Sequence, residues 1–148
     1  MKNKILFDNN AVDFILENEN LFLKAAKKYT FFVCTTVVGE LAKIPDSKQN
    51  KRIALFITFS KLGATFIPDS CAIYGHSRYG CCKWGAGKVY HEILNDSKNN
   101  IEDAIIADTA VTNDCILLTN DSRFYNKMKR LNYNVMNFTE FEEDNSNG

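Results

Sequence analysis

Short apolar runs alternate along this chain with segments whose apolar residues recur every three or four positions. The runs at residues 5–7, 31–34 and 116–118 have the length of buried β-strands, and the segments between them have the periodicity of amphipathic helices. Helical crossovers between parallel strands cover both faces of a sheet. The sequence therefore predicts an α/β fold, a three-layer α/β/α sandwich with a mostly parallel central sheet.

Local signals place the remaining elements of the predicted sandwich. Pro45 ends one helix and Gly63 another, and a polar turn at residues 95–100 precedes a third. Residues 70–87 hold four of the seven glycines and are predicted to form a loop or a short helix. Further strands are expected at 64–67 and 134–137, and helices at 10–16, 21–29, from Thr35 or Thr36 to Pro45, 47–62, 89–94, 101–111 and 122–131.

The composition is that of a single globular domain. We place this domain at residues 1–139 and expect the acidic segment 140–148 to be a mobile tail. The 18 basic and 18 acidic side chains cancel, which argues against coating of nucleic acid by bulk positive charge. No apolar run reaches the roughly 20 residues of a membrane helix, and no apolar signal core follows Met1, so we expect a cytoplasmic protein that does not contact the membrane.

Four carboxylates lie where a strand-like run ends or a helix begins. Asp8 follows the first run and Asp121 follows the run at 116–118, whereas Glu40 and Asp103 lie in early turns of predicted helices. In an open α/β sheet the crevice lies outside the carboxyl ends of the strands, so acids at these positions converge even when they are distant in sequence. We therefore predict that all four are catalytic residues of one site.

Clustered carboxylates suit a divalent metal ion. Mg²⁺ prefers oxygen ligands, and such an ion can activate water and neutralise charge during hydrolysis of a phosphodiester. We assign Asp8, Asp103 and Asp121 as ligands of Mg²⁺ or Mn²⁺, and Glu40 as the acid that supports them or activates water. The side chains expected to orient these carboxylates or to touch phosphate are Asn10, Thr36, Thr119 and Asn120.

Each acid also has a purely structural explanation. Asp8 and Asp121 fit the N-cap of a helix, and Asp103 fits a first-turn position that the helix dipole favours. Asp108 lies about 140° around the helix from Asp103, so it is not expected to share an ion with it and is interpreted as a supporting or surface residue. The ordered set of four favours the functional interpretation over chance caps.

The chain resembles the PIN-domain nucleases between Lys4 and about Phe138. The matching blocks are Phe7-Asp8-Asn9-Asn10, Thr36-x-x-x-Glu40-Leu41, the run from Asp103 to Ala110, and Leu118-Thr119-Asn120-Asp121-x-x-Phe124. This resemblance implies an α/β/α sandwich and a Mg²⁺- or Mn²⁺-dependent site that most often cleaves RNA. Many small members are similar to VapC-type toxins, which implies a cognate antitoxin partner. Arg123 departs from the pattern, since many relatives carry an acid there, and this leaves the binding of a second ion open.

The segment at residues 70–87 interleaves aromatic rings with cations. Such a surface can stack bases and pair with phosphates of a single strand, although a solvated loop anchored by one or two aromatics explains it equally well. The residues predicted to contact RNA are Tyr74, His76, Arg78, Lys83 and Trp84.

Other interpretations of the sequence remain open. A zinc site built from cysteines and histidines of the segment 71–91 lacks a C-x-x-C pair and matches no common module. A catalytically weak PIN-like module would bind RNA or protein without cutting. A haloacid-dehalogenase-like phosphatase is more distant, because Asn10 stands where its reaction needs an acid. The apolar helices near Leu16 and Leu21 serve either core packing or a homodimer face.

Overall fold

A computed structural model describes residues 1–77, 80–83, 87–94 and 100–146. It contains the strands β1 (Asn3–Phe7), β2 (Tyr29–Cys34), β3 (Thr65–Ile67), β4 (Ile116–Leu118) and β5 (Val135–Met136). The helices are α1 (Ala11–Glu17), α2 (Glu19–Ala25), α3 (Thr35–Ala42), α4 (Gln49–Lys61), α5 (Lys88–Leu94), α6 (Ile101–Thr112), α7 (Ser122–Arg130) and α8 (Phe138–Ser146), with a 3₁₀ turn at Asp46–Lys48 before α4. Apart from Asn100, the polar turn predicted at 95–100 lies outside the described residues.

The described strands form one parallel sheet in the order β3-β2-β1-β4-β5. The central strand β1 pairs Ile5 with Phe31 of β2 and Phe7 with Leu118 of β4. The predicted three-layer α/β/α sandwich with a parallel sheet is thereby confirmed. The strand order reverses direction between β1 and β4, and such a switch point opens a crevice at the carboxyl ends of the two strands.

An aromatic cluster holds β1 in place. Phe7 stacks on Phe31 and Phe59, with ring centroids 5.2 and 6.0 Å apart, and meets the edge of Phe22 at 5.8 Å. All four rings are fully or almost fully buried. Because β1 ends inside this cluster, the residue that follows it leaves the sheet from a rigid position.

The C-terminal segment is a helix rather than a mobile tail. The predicted boundary at residue 139 falls inside α8, and Phe141 in that helix is 0% exposed. Phe138 stacks on Phe14 with centroids 4.1 Å apart, and Phe141 stacks on Phe22 at 4.7 Å. Two phenylalanines three positions apart give α8 an apolar face, so the acidic composition hid an amphipathic helix. The expectation of a mobile tail is wrong for residues 140–146, and residues 147–148 lie outside the described part.

The burial of individual side chains decides two further predictions, the end of the helix predicted at 21–29 and the use of its apolar face. The helix predicted at 21–29 ends at Ala25, because buried Tyr29 already belongs to β2. Phe22 is fully buried and its neighbour Leu21 packs partly against the core, so the face suggested for a homodimer is used for core packing. No helix in the described ranges is long and apolar enough to span a membrane.

Candidate active site

Asp8 lies at the switch point of the sheet and is 3% exposed. The pairing of Phe7 with Leu118 places Asp8 beside Thr119, whose hydroxyl donates to one carboxylate oxygen at 2.7 Å. The other carboxylate oxygen accepts the main-chain N–H of Asn9 at 2.7 Å. Helix α1 begins only at Ala11 and has no side-chain cap, so the interpretation of Asp8 as an N-cap is wrong.

Thr119 connects Asp8 to the loop that follows β4. Besides donating to Asp8, its buried hydroxyl accepts the side-chain amide of Asn10 at 3.3 Å and the main-chain N–H of Asp121 at 3.2 Å. The carbonyl oxygen of the Asn10 side chain accepts the main-chain N–H of Asn120 at 3.1 Å. Thr119 and Asn10 therefore orient the Asp8 carboxylate, whereas Asn120 contributes through its backbone and exposes its side chain.

Asp121 caps helix α7. One of its carboxylate oxygens accepts the main-chain N–H groups of Arg123 at 2.9 Å and Phe124 at 3.0 Å. Both bonds go to Oδ1, so the capping interaction leaves the second oxygen, Oδ2, available for another partner. Asp121 is thus an N-cap, as the sequence suggested, and this role does not prevent its second oxygen from binding another partner.

Asp103 completes a group of three carboxylates from separate elements. Burial raises the pKa of Asp103 to about 6, with further contributions from the negative charges of Asp8, Asp121 and Glu102. Burial also raises the pKa of Asp8, and the charge of Asp121 adds to this shift. The charges of Asp8 and Asp121 thus both act on Asp103, and the charge of Asp121 acts on Asp8. Asp103 and Asp121 line a cavity of about 150 Å³, whose other walls are Ile93, Asn100, Arg123, Phe124 and Lys127.

This group has the donor chemistry of a divalent-metal site. Its carboxylates repel one another, and a cation would relieve that repulsion. The side-chain carbonyl oxygen of Asn9 is buried and has no hydrogen-bond partner in the described part of the chain, which offers one more oxygen beside Asp8. Within the described ranges, no three His, Cys, Asp or Glu side chains are arranged closely enough to hold an ion, so the carboxylates would have to move together on binding.

Glu40 lies on the other side of the start of α6. It forms an ion pair with Lys43, the residue that directly follows α3, and both carboxylates, Glu40 and Glu102, lie within reach of the Lys43 ammonium. The Lys43 ammonium, 3.6 Å from the Glu102 carboxylate, holds the pKa of Glu40 below its usual value, whereas burial and the Glu40 carboxylate raise that of Glu102. Glu102 and Asp103 are adjacent and point about 100° apart around the helix, so Glu40 meets Glu102 rather than the three aspartates.

A cleft of about 450 Å³ contains Glu40, Lys43 and Glu102. Thr36 also lines it, but the hydrogen bonds of Thr36 go to Asp69, with its N–H at 3.0 Å and its hydroxyl at 2.9 Å. Thr36 therefore orients Asp69 rather than the predicted acids, and its predicted contact with phosphate stays a prediction. Asp69 was missed by the sequence analysis, although it lies two positions after the end of β3, as Asp8 lies directly after β1.

Asp108 is a buried supporting residue and not a surface one. It is 4% exposed, accepts the hydroxyl of Ser70 and accepts the main-chain N–H of Tyr90 at 3.2 Å. The neighbouring Thr109 hydroxyl accepts the main-chain N–H of Ser70 at 3.0 Å. These bonds fasten α6 to α5 and to the irregular segment after β3, which fixes the helix that carries Asp103.

The predicted RNA-contacting segment is only partly described. Tyr74 and Lys83 are exposed, and His76 lines the 450 Å³ cleft together with Glu40. Arg78 and Trp84 lie outside the described residues. The exposed ring and the exposed cation are compatible with stacking and phosphate contacts, and equally with a solvated loop.

The raised pKa of Asp103 predicts a pH-dependent cost to stability in the absence of metal. Because the folded pKa is about 6 and the unfolded value 3.8, the penalty for ionising Asp103 develops as pH rises through this interval and is complete above it. Asp103→Asn should therefore be more stable than the native chain at pH 7.5, by about 1–2 kcal/mol after allowance for solvent screening. Near pH 4 the difference should largely vanish.

Urea denaturation in EDTA at both pH values measures this effect. Asp46→Asn is the matched control, because the side chain of Asp46 is 96% exposed and only a surface ion pair would be lost. Equal stability of the native chain and Asp103→Asn at pH 7.5 would contradict the assigned electrostatic environment.

No protein-family model and no curated protein matches this sequence. Solved structures do match. VapBC2 from Rickettsia felis, bound to a DNA fragment from their promoter, superposes with a TM-score of 0.58 and 20% identity over 90% of this chain and 98% of that one. PAE2754 from Pyrobaculum aerophilum gives 0.66 and 13% identity over both whole chains, and a domain of a functionally unknown protein from Methanocaldococcus jannaschii gives 0.55 and 22% over 92% of this chain and 91% of that one. VapC has a PIN domain, and this chain has a PIN-like fold.

Proposed function

We propose that the protein is a metal-dependent endoribonuclease that hydrolyses phosphodiester bonds of RNA. The observation that supports the proposal is the way three carboxylates are linked: Thr119 hydrogen-bonds to the Asp8 carboxylate and to the main-chain N–H of Asp121, and Asp121 lines one cavity with Asp103. Carboxylates that repel one another without a cation are an expected state of an ion site. The PIN-like fold supports the same class of activity.

Asp8, Asp103 and Asp121 would hold Mg²⁺ or Mn²⁺. When bound, such an ion supplies a more acidic water and offsets negative charge on the phosphoryl oxygens. Thr119 and the Asn9 N–H keep the Asp8 carboxylate in place, and the cap of α7 keeps Asp121 in place. Asp103, to which no described residue donates a hydrogen bond, is the carboxylate freest to move towards the other two.

Glu40 would act from the neighbouring cleft. The Lys43 ammonium favours its ionised form, which is the form that can accept a proton from water. The exposed ring of Tyr74 and the exposed cation of Lys83 are proposed to contact the single strand. Glu40 is thus assigned to water activation and not to the ion itself.

The proposal is tested by incubating the protein with single-stranded RNA of mixed sequence. Internal cleavage is expected with Mn²⁺ or Mg²⁺, no cleavage with EDTA, and recovery when the metal is restored in excess. Cleavage that resists EDTA would reject the metal-dependent mechanism. RNA binding without cleavage under either metal, by folded protein, would favour the alternative of a catalytically weak binding module.

We infer that this nuclease acts in the cytoplasm and that its partner is a cognate antitoxin. The structural similarity to VapBC2, a complex bound to its promoter DNA, supports this assignment of a toxin with a protein inhibitor. Purification from the native host should then recover the chain with a second, small protein that suppresses its cleavage of RNA. Recovery of the chain alone, already active, would indicate a nuclease that no partner restrains.

A further inference from the structure

Two adjacent asparagines follow Asp8, and their side chains are satisfied to different extents. The Asn10 side chain donates to the Thr119 hydroxyl at 3.3 Å and accepts the main-chain N–H of Asn120 at 3.1 Å, so both ends of its amide are bonded. The side-chain carbonyl oxygen of Asn9, Oδ1, is shielded from solvent, and no residue that the structure describes donates to it. Asn9 is therefore the member of the pair whose acceptor is left over.

The carbonyl oxygen of Asn9 costs stability where it lies. Burial takes Oδ1 away from water, and a buried acceptor without a donor loses the hydrogen bonds that it would make in solvent. Buried polar atoms of this kind are uncommon in proteins, and a bound water or ion is a frequent explanation for them. An apolar side chain at this position would avoid the cost.

The usual structural reasons for an asparagine in a turn do not apply to Asn9. Helix α1, which begins two residues later, has no side-chain cap. The backbone of Asn9 is not left-handed, so its conformation does not favour asparagine. Its main-chain N–H and carbonyl bond to Asp8 and Val12, as those of almost any residue could. The side-chain carbonyl is thus the part of Asn9 that requires an explanation.

This carbonyl lies within a short distance of the Asp8 carboxylate. The Asn9 N–H donates to Asp8 Oδ1 at 2.7 Å, and four covalent bonds join that nitrogen to Asn9 Oδ1. Bond lengths limit the separation of the two oxygens to about 7 Å. An ion with one of its water molecules connects oxygens over such a distance, since Mg²⁺ usually keeps several waters. Asn9 is therefore within reach of an ion that Asp8 holds.

Asp8 and Asn9 together present more acceptors than donors. Each carboxylate oxygen of Asp8 has one neutral donor, the Asn9 N–H or the Thr119 hydroxyl, and Asn9 Oδ1 adds an oxygen that has none. A water that only bridged protein groups would need two or more polar partners in the same place. A water already held by a cation needs no second protein partner, and it directs its hydrogens outwards.

We propose that the side-chain carbonyl of Asn9 binds the hydrated divalent ion held by Asp8, by accepting a hydrogen bond from one of the water molecules of the ion. The proposal rests on the proposed nuclease function and adds to its ion site a residue to which the sequence analysis gave no role. Asn9 is then a positioning residue that stabilises the ion-bound state and not the empty one. Its loss should weaken metal binding without weakening the metal-free fold.

Calorimetric titration with Mn²⁺ and urea denaturation in EDTA test these two effects separately. Asn9→Ala should bind Mn²⁺ about tenfold more weakly than the native chain, as is typical when a residue that supports a metal site is lost. Its urea midpoint in EDTA should be no lower than the native one, because the carbonyl makes no hydrogen bond that the variant would lose. Asn9→Asp keeps the shape and adds a negative charge, so its midpoint in EDTA should fall while its Mn²⁺ affinity is at least native.

Asn18→Ala is the matched control, because the Asn18 side chain is also partly buried and donates to the carbonyl oxygen of Phe14 at 3.0 Å. It should lower the urea midpoint in EDTA and leave the Mn²⁺ affinity within about twofold of the native value. An Asn9→Ala variant that binds Mn²⁺ as tightly as Asn18→Ala would overturn the proposal while leaving the nuclease function intact. Absence of any Mn²⁺ binding by the native chain would instead reject the function on which the proposal rests.

Discussion

Asp121→Asn is expected to reduce metal-dependent RNA cleavage by roughly 100- to 1,000-fold while leaving the fold intact. Asparagine caps helices about as well as aspartate, so its Oδ1 can still accept the N–H groups of Arg123 and Phe124. What the variant loses is the negative charge. The substitution therefore separates the capping role of Asp121 from its proposed role as an ion ligand, and initial rates with Mn²⁺ measure the second role alone.

Two controls sharpen this result. Asp121→Ala should lose both roles, with the same fall in rate and about 1 kcal/mol of lost stability from the missing cap. Asp46→Asn, at an exposed position outside both clefts, should retain the native rate. Full activity of Asp121→Asn would mean that the residue is a helix cap and nothing more.

Phe141→Ala is expected to destabilise the whole domain by about 3–5 kcal/mol, the range for removing a buried aromatic ring. Phe141 is fully buried and meets Phe14, Phe22 and Tyr29, so truncation opens a void next to the cluster that holds β1. The midpoint of urea denaturation should fall, with an unchanged slope if unfolding stays two-state.

Glu143→Ala is the control for the same helix, since its side chain is exposed and its loss should change stability by less than about 0.5 kcal/mol. A Phe141→Ala variant as stable as Glu143→Ala would show that residues 140–146 do not belong to the folded core. The predicted single domain would then end near residue 139 after all.

Sequence patterns predicted those residues of the candidate site that lie at the ends of strands. Asp8 and Asp121 follow apolar runs, and parallel strands deliver their carboxyl ends to one edge of the sheet. The same rule would have found Asp69, because a strand was predicted at 64–67, but Pro68 separates Asp69 from the end of that strand. Residues at strand ends are therefore the predictable component of such a site.

The remaining contacts could not be predicted, because they depend on how each helix is rotated about its axis and on a segment whose sequence has no periodicity. Glu102 and Asp103 are neighbours in sequence, and no pattern told which of them meets Glu40 across the α3–α6 contact. The hydrogen-bond partner of Thr36 is Asp69, which lies beside the irregular segment that follows β3. That segment has no repeating period from which the contact could be predicted. In α8, the acids dominated the composition and concealed the spacing of Phe138 and Phe141. Side-chain direction around a helix is fixed by tertiary packing, which a single sequence does not contain.

Thr119 and Asp8 are 111 positions apart in the chain, yet main-chain pairing alone sets them side by side. The hydrogen bonds of a parallel ladder do not depend on which side chains the strands carry. Crossovers between the two strands can thus lengthen, shorten or change nearly every residue without moving one partner past the other. In such proteins, sequence similarity is lost long before the backbone changes, so relatives are better found by structural superposition than by sequence alignment.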